Sequence, residues 1–395
     1  MQQAKNIIIA VLGIVIFSTC LPIHAAKFKP PVAWSGVGFS GNWNDREINY
    51  PFTSQFFCLQ NCTQDNSVEM WARERMIQTD VLRETGFELH LGLMDDKAIE
   101  QIGLAIAISN ESVVFEKLNV DSKVSFLTNY SITGSALFFD LVSKKLIYSV
   151  PLITRYTTVY DSLPEQSVQK ATLQNMLKNN SLGINFFDEM TKRLVDVDFQ
   201  TSPTAYLKIT NARFSDDAKG QFSNEFNTDL AEQYLATYYE SVFIRETGYA
   251  LIPNAIGHAV GNKIATRLPS GDLTIELPEP GYAMTVNVAK LLYQRKKGKG
   301  SDSFCWGARV EWRLEELVFG KETIGAVDLK NVNCTVAGQD SILSNDSEYM
   351  KLIMSMLEKY AMQFKKQEPE WIKKHTDNPK NTSLAIKKLH QIFAY

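Results

Sequence analysis

Residues 82–89 read Leu-Arg-Glu-Thr-Gly-Phe-Glu-Leu, and residues 244–251 read Ile-Arg-Glu-Thr-Gly-Tyr-Ala-Leu. Arg83-Glu84-Thr85-Gly86 thus returns as Arg245-Glu246-Thr247-Gly248, with an aromatic residue after the glycine both times. Each copy follows a helical stretch and opens a strand. Its glycine is therefore predicted to cap the helix, since glycine takes φ > 0 without steric cost. A phrase returning in one helix-to-strand context predicts an α+β fold of two tandem copies of one unit. Each copy is then a mixed, largely antiparallel sheet packed by helices. The 395 residues give room for two cores, and 45% hydrophobic with 22% charged residues argues against disorder.

The amino terminus reads as an export signal. Met1 to Lys5 is a short n-region, Asn6 to Cys20 is a nearly continuous apolar run, and Ile23 and Ala25 precede a cleavage point before Ala26. Cys20 offers an alternative, a lipidated first residue, but Phe17-Ser18-Thr19 is a poor approach to it. Export leaves Cys58, Cys62, Cys305 and Cys334 in an oxidising compartment, where an even count favours disulfides over metal ligation. The pairs expected are Cys58–Cys62 within one loop or turn and Cys305–Cys334 between strands. No metal site is expected, because His90, His258, His375 and His390 are scattered. Seven Asn-x-Ser/Thr sequons, at Asn61, Asn110, Asn129, Asn179, Asn333, Asn345 and Asn381, are read as chance in an asparagine-rich bacterial chain.

Four segments follow: a signal peptide over 1–25, a first α+β domain over 26–200, a second over 201–366, and a polar linker with an amphipathic helix over 367–395. In the first domain, Val32 to Gly41 predicts a strand and Asn66-x-x-Glu69 a capping box for a helix to Arg83. Phe87 to Leu93, Gln101 to Ile108 and Ser112 to Leu118 are separate apolar runs. Lys123 to Leu141 and Leu146 to Tyr160 predict a hairpin. Ser162-x-x-Glu165 opens a helix to Leu177, and Ile184 to Val195 is a second.

Thr201-Ser-Pro203 marks the domain boundary. Tyr206 to Phe214 opens the second domain, and a helix follows with Phe226, Leu230, Tyr234, Tyr238 and Val242 on one face, read as the buried one. Phe304, Trp306, Ala308, Val310, Trp312 and Leu314 alternate with polar residues, as on a strand with one wet face. Asn345-x-x-Glu348 predicts the cap of a closing helix with an apolar stripe from Tyr349 to Phe364. Arg295-Lys-Lys-Gly-Lys-Gly300 reads as a solvated hairpin tip before it reads as a contact for phosphate or anionic lipid. The helix over 383–395 is expected to dock on its own domain before a partner or a membrane.

Chemistry is sparse. Gly36-x-Gly38-x-x-Gly41 spells a dinucleotide fingerprint, but no helix start follows, so no cofactor is expected. A net charge of −3 and only short basic runs argue against nucleic acid. No nucleophile elbow, zinc-protease motif or phosphate loop occurs, and no catalytic residue is assigned. The segment 253–280 has no counterpart in the first half, which makes His258, between Gly257 and Gly261, the best candidate for function. A hydrolase site there would draw on Asp272, Glu276 and Glu279, the runner-up to a purely structural histidine.

Within each half the order is strand, helix, strand, antiparallel strands and closing helix. With an export signal ahead, this resembles the periplasmic α+β unit of the TolB amino-terminal domain, the curli secretion channel family and the lipoprotein activators of penicillin-binding proteins. The resemblance covers about 30–200 and 201–366 and rests on element order. The insert around Cys58 and Cys62 departs from it, and so does the poor lipidation sequence at Cys20. It implies a non-enzymatic role with a protein partner in the cell envelope, and it carries over no site residues.

Overall fold

The computed structural model describes residues 29–40, 47, 50–57, 67–78, 80–91, 102–120, 123–197, 206–224, 226–249, 251–253, 263–268, 271–318, 320, 322–338 and 343–393. The export segment with Cys20, the Cys58–Cys62 loop, the 201–203 boundary and residues 257–261 with His258 lie outside them.

The fold is α+β and rests on two sheets. The first holds β1 (Pro31–Ser40), β2 (Glu88–His90), β3 (Ile102–Val120), β4 (Lys123–Asp140) and β5 (Leu146–Tyr160), joined by β8 (Lys263–Leu268) and β9 (Gly271–Glu276). The second holds β6 (Leu207–Phe214), β7 (Leu251–Ile252), β10 (Tyr282–Lys296), β11 (Ser301–Glu316) and β12 (Glu322–Gly338). Helices α1 (Val68–Gln78), α2 (Gln166–Lys178) and α3 (Phe186–Leu194) come from the first half. The second half supplies α4 (Asp216–Lys219), α5 (Thr228–Thr247), α6 (Asn345–Lys366), α7 (Pro369–His375) and α8 (Pro379–Phe393).

The two sheets share one strand plan. The run β5-β4-β3-β1 in the first corresponds to β12-β11-β10-β6 in the second. In each, the opening strand runs parallel to two strands of its own half, β1 to β2 and β3, and β6 to β7 and β10. The later strands pair antiparallel, as hairpins allow.

Three apolar clusters hold these layers. One lies between the first sheet and its helices, where Trp71, Phe138, Phe186 and Phe187 are fully buried. Gly134 is required there. A Cβ on it would come within 2.8 Å of both the Ala107 carbonyl oxygen and the Phe186 ring. The second cluster packs Trp306, Trp312, Tyr360 and Phe364 between the second sheet, α5, α6 and α8. The third is mixed. Ala105, Leu137, Phe139 and Leu146 of the first half meet Ile252, Ile275 and Leu277 of the second. Each large side chain so withdrawn from water contributes roughly 1.5–3 kcal/mol, so the sheets are packed together and not merely linked.

The β8–β9 hairpin explains how. Its β8 pairs antiparallel with the end of β1, and the Glu276 N–H donates to the Lys144 carbonyl in the turn between β4 and β5. The described part of the 253–280 segment is therefore a strand pair closing the first sheet.

Several local expectations change. The runs at 101–108 and 112–118 are one strand, β3, bent by an irregularity between Ile108 and Asn110. The α2 cap is Glu165 without a side-chain bond, and the Gln169 amide instead donates to the Pro164 carbonyl. At α6 the cap is Ser344, one residue earlier than read, because Asn345 accepts the Trp306 indole N–H. The buried face of α5 is Leu235, Tyr239, Val242 and Phe243, while Leu230 is 38% exposed. Residues 367–382 are no plain linker, since they contain α7 and a bridge from Thr376 to Leu329 of β12. Helix α8 docks at home, burying Ala385, Ile386, Leu389 and Phe393.

The repeated phrase ends two helices by different means. Gly248 adopts φ 74° and its N–H returns to the Ile244 carbonyl, a left-handed cap. In the first copy a 3-10 turn, Asp80–Glu84, follows α1, and the buried Thr85 hydroxyl reaches the Leu82 and Phe87 carbonyls.

Candidate functional site

Three polar groupings of the described chain bear on a candidate site. The first is the seam between β5, α5 and α6. The Arg155 guanidinium lies over the rings of Tyr234 and Tyr238, at 5.4 and 5.2 Å. The Tyr238 hydroxyl donates to Glu358, which also receives Arg245 at 2.5 Å, and Arg245 bonds Glu246 at 2.6 Å. Burial works against the charge on Arg245, but its bonds to Glu358 and Glu246 outweigh it and raise its pKa. Burial, then Arg245 nearby, holds the Arg193 pKa down. Burial pushes Tyr234 and Tyr238 up to about 12, so both stay protonated. Around them Ser149 donates to the Leu251 carbonyl and Ser241 to the Pro151 carbonyl. The second Arg-Glu pair therefore ties α5 to α6 within the second half, while Arg155, Ser149 and Ser241 make the contacts that join the halves. Of the stripe read as the core face of α5, Val242 does lie in the core, whereas Tyr234 and Tyr238 face the seam.

The second place is Glu111 on β3. Only 7% exposed, its carboxyl receives the Phe52 N–H at 2.6 Å and the Thr53 hydroxyl at 2.5 Å. Burial pushes its pKa up to about 7 against the bond from Thr53. The adjacent Tyr50 hydroxyl donates to the Ser40 carbonyl at 2.7 Å. A carboxyl titrating near neutrality suits general acid–base work. Here both oxygens anchor the 50–57 segment to β3, which assigns Glu111 a structural task. The residues alone carried little signal, since Glu111 stands in the polar break Ser109-Asn110-Glu111-Ser112 between two apolar runs, and its burial, costly unless hydrogen-bonded, emerges only in the fold.

The third place is the outer face of β10–β12. Arg309, Lys330 and Arg313 form ion pairs with Asp328 and Asp377, and Arg313 also approaches Glu311. Farther along the same strands, Cys305 and Cys334 oppose each other and are bonded.

The other sequence candidates scatter. Glu276 ends β9, and the side chain of Asp272 lies outside the described set. His90 sits exposed near Glu88 on β2, while His390 contacts the Phe364 carbonyl. Among the described residues no three or more potential metal ligands come together. None of the described helices is long and apolar enough to cross a membrane.

No family model matches the chain, and no curated protein does. Among solved structures it is similar to a minor lipoprotein from Acinetobacter baumannii, at 12% identity and a TM-score of 0.20, over 43% of this chain and 95% of that one. It is also similar to a Xanthomonas campestris protein of family DUF330, at 12% identity and a TM-score of 0.21, over 44% of this chain and 86% of that one. Likenesses of that size carry no functional information.

Proposed function

We propose that this chain is an exported cell-envelope scaffold or assembly protein, a tandem duplication that works by binding other proteins and not by turnover. The observation that carries the reading is the Cys305–Cys334 disulfide across neighbouring strands. Such a bond persists in an oxidising compartment and fits the export signal read at the amino terminus. The matching strand plans of the two sheets support duplication. Element order within each half, which resembles periplasmic assembly modules, points the same way. The ionisable groups of the seam and of Glu111 are engaged in holding the fold together.

The test is an intact mass from the native compartment followed by cross-linking in the living cell. The expected result is a chain beginning at Ala26, oxidised at Cys305 and Cys334, and cross-linked to a discrete envelope protein. Residues 1–25 retained on a fully reduced protein would overturn export. Turnover of a polysaccharide, ester or peptide that is lost on His258→Ala would overturn the non-enzymatic role.

A further inference from the structure

The outer face of β10–β12 changes character along its length. Directly opposed residues of antiparallel strands share a face, so the pairing defines rows across the three strands. One row is Lys290, Arg309 and Lys330, and the next is Leu292, Gly307 and Val332. Then come Gln294, Cys305 and Cys334, and finally Lys296, Ser303 and Val336. From Arg309 towards the core the face is a lattice of paired charges. Beyond it no ion pair joins the described residues of this face. Leu292, Val332 and Val336 are 56%, 65% and 69% exposed, and the disulfide lies among them.

The tip beyond this band is cationic. Lys296, Lys297 and Lys299 are exposed around a turn held by Asp302, which is buried and bound to Arg295 and to the Gly298 N–H. Segments 290–306 and 331–338 together hold five Lys or Arg and one acid, Asp302, so they carry a net +4 in a chain whose total is −3. Helices α7 and α8 pack on β12, with the bridge at Leu329, whereas Val332 to Val336 are exposed.

We propose that this distal face rests on an anionic lipid surface, with Leu292, Val332 and Val336 entering the headgroup boundary and the tip lysines meeting lipid phosphates. Two features favour a bilayer over a protein. Three aliphatic side chains fall well short of the roughly 1,000 Å² that a specific protein interface buries. Lysine, leucine and valine are also poor in binding hot spots, where tryptophan, tyrosine and arginine dominate. A flat aliphatic band rimmed by lysines instead suits a fluid, negatively charged surface.

Amide exchange of the full-length chain reads the contact locally, whatever the amino-terminal segment does. The chain is mixed with vesicles of phosphatidylcholine alone or of phosphatidylcholine with phosphatidylglycerol. Exchange is expected to slow over 290–300 and 331–338 on the anionic vesicles alone. At about fivefold for each lysine near a charged surface, Lys296→Gln, Lys297→Gln and Lys299→Gln together should raise the lipid concentration for half-protection roughly a hundredfold. Leu292→Ser with Val332→Ser should raise it as well. Equal protection on both vesicles, none on either, or protection conferred by a protein partner without lipid would overturn the proposal.

Discussion

Replacing Glu111 by Gln should make the protein more stable above neutrality and leave it unchanged in acid. The carboxyl is 7% exposed and titrates at about 7, against an ordinary value of 4.5, because burial penalises its charged form. As pH rises from 4.5, the unfolded chain gives up this proton while the folded chain keeps it. The unfolded state then binds fewer protons, so stability falls with pH across that window and levels off above about 7. At about 1.36 kcal/mol per pH unit, the loss is on the order of 3 kcal/mol. Glutamine preserves the geometry. Its carbonyl can accept the Phe52 N–H, and its amide can donate to Thr53, whose hydroxyl turns to accept. Urea denaturation of both proteins between pH 4 and pH 8 measures the effect, and titrations common to the two cancel in the difference. The curves should coincide near pH 4 and diverge to about 3 kcal/mol in favour of the variant by pH 8. A variant less stable than the parent at pH 8 would refute the reasoning, since it would mean that the two donors hold Glu111 ionised and outweigh its burial.

Two further outcomes concern the second half. Cys305→Ser with Cys334→Ser opens a cross-link spanning 29 residues, and should lower stability by about 3–4 kcal/mol in urea titrations through the freed unfolded chain. Gly248→Ala forces a Cβ into φ 74° and should cost about 1–2 kcal/mol by the same assay, with no crowding involved, because nothing lies within 4 Å of the added atom.

What could be read from the residues alone was whatever depends on local periodicity. Strict alternation from Phe304 to Leu314 announced β11 and its buried face, because a strand places every second side chain on one side. The hairpin of β4 and β5 was legible for the same reason, with polar turn residues between β-branched runs. Long-range partnership was not legible. The Tyr234 and Tyr238 stripe lies at perfect helical spacing, yet spacing cannot tell a core from a seam, and Arg155, far away in sequence, decided it. Caps moved for a similar reason. Asn345 is a good capping residue by type, but the Trp306 indole N–H, buried by the opposite layer, claimed its oxygen and left Ser344 to cap α6. Glu111 was missed because an acid in the polar break between two apolar runs looks solvated until its two donors are placed beside it.

The unmatched segment of the second half solves a problem that two sheets of one strand plan would otherwise share. A sheet packed by helices on one face leaves its other face wet, and here Ala105, Ala107, Leu137 and Phe139 would lie on that face. The hairpin β8–β9 brings Ile275 across them, Leu277 follows it, and β7 adds Ile252. The second sheet treats its outer face differently. Near the core it is tiled with Arg309, Arg313, Asp328 and Asp377, charges that water already satisfies, so no covering strand is needed. The same reasoning isolates the distal band of Leu292, Val332 and Val336, which among the described residues is neither tiled with paired charge nor covered. A strand face left apolar at that point costs solubility unless something else covers it, and the lysines beside it indicate that the cover is negatively charged.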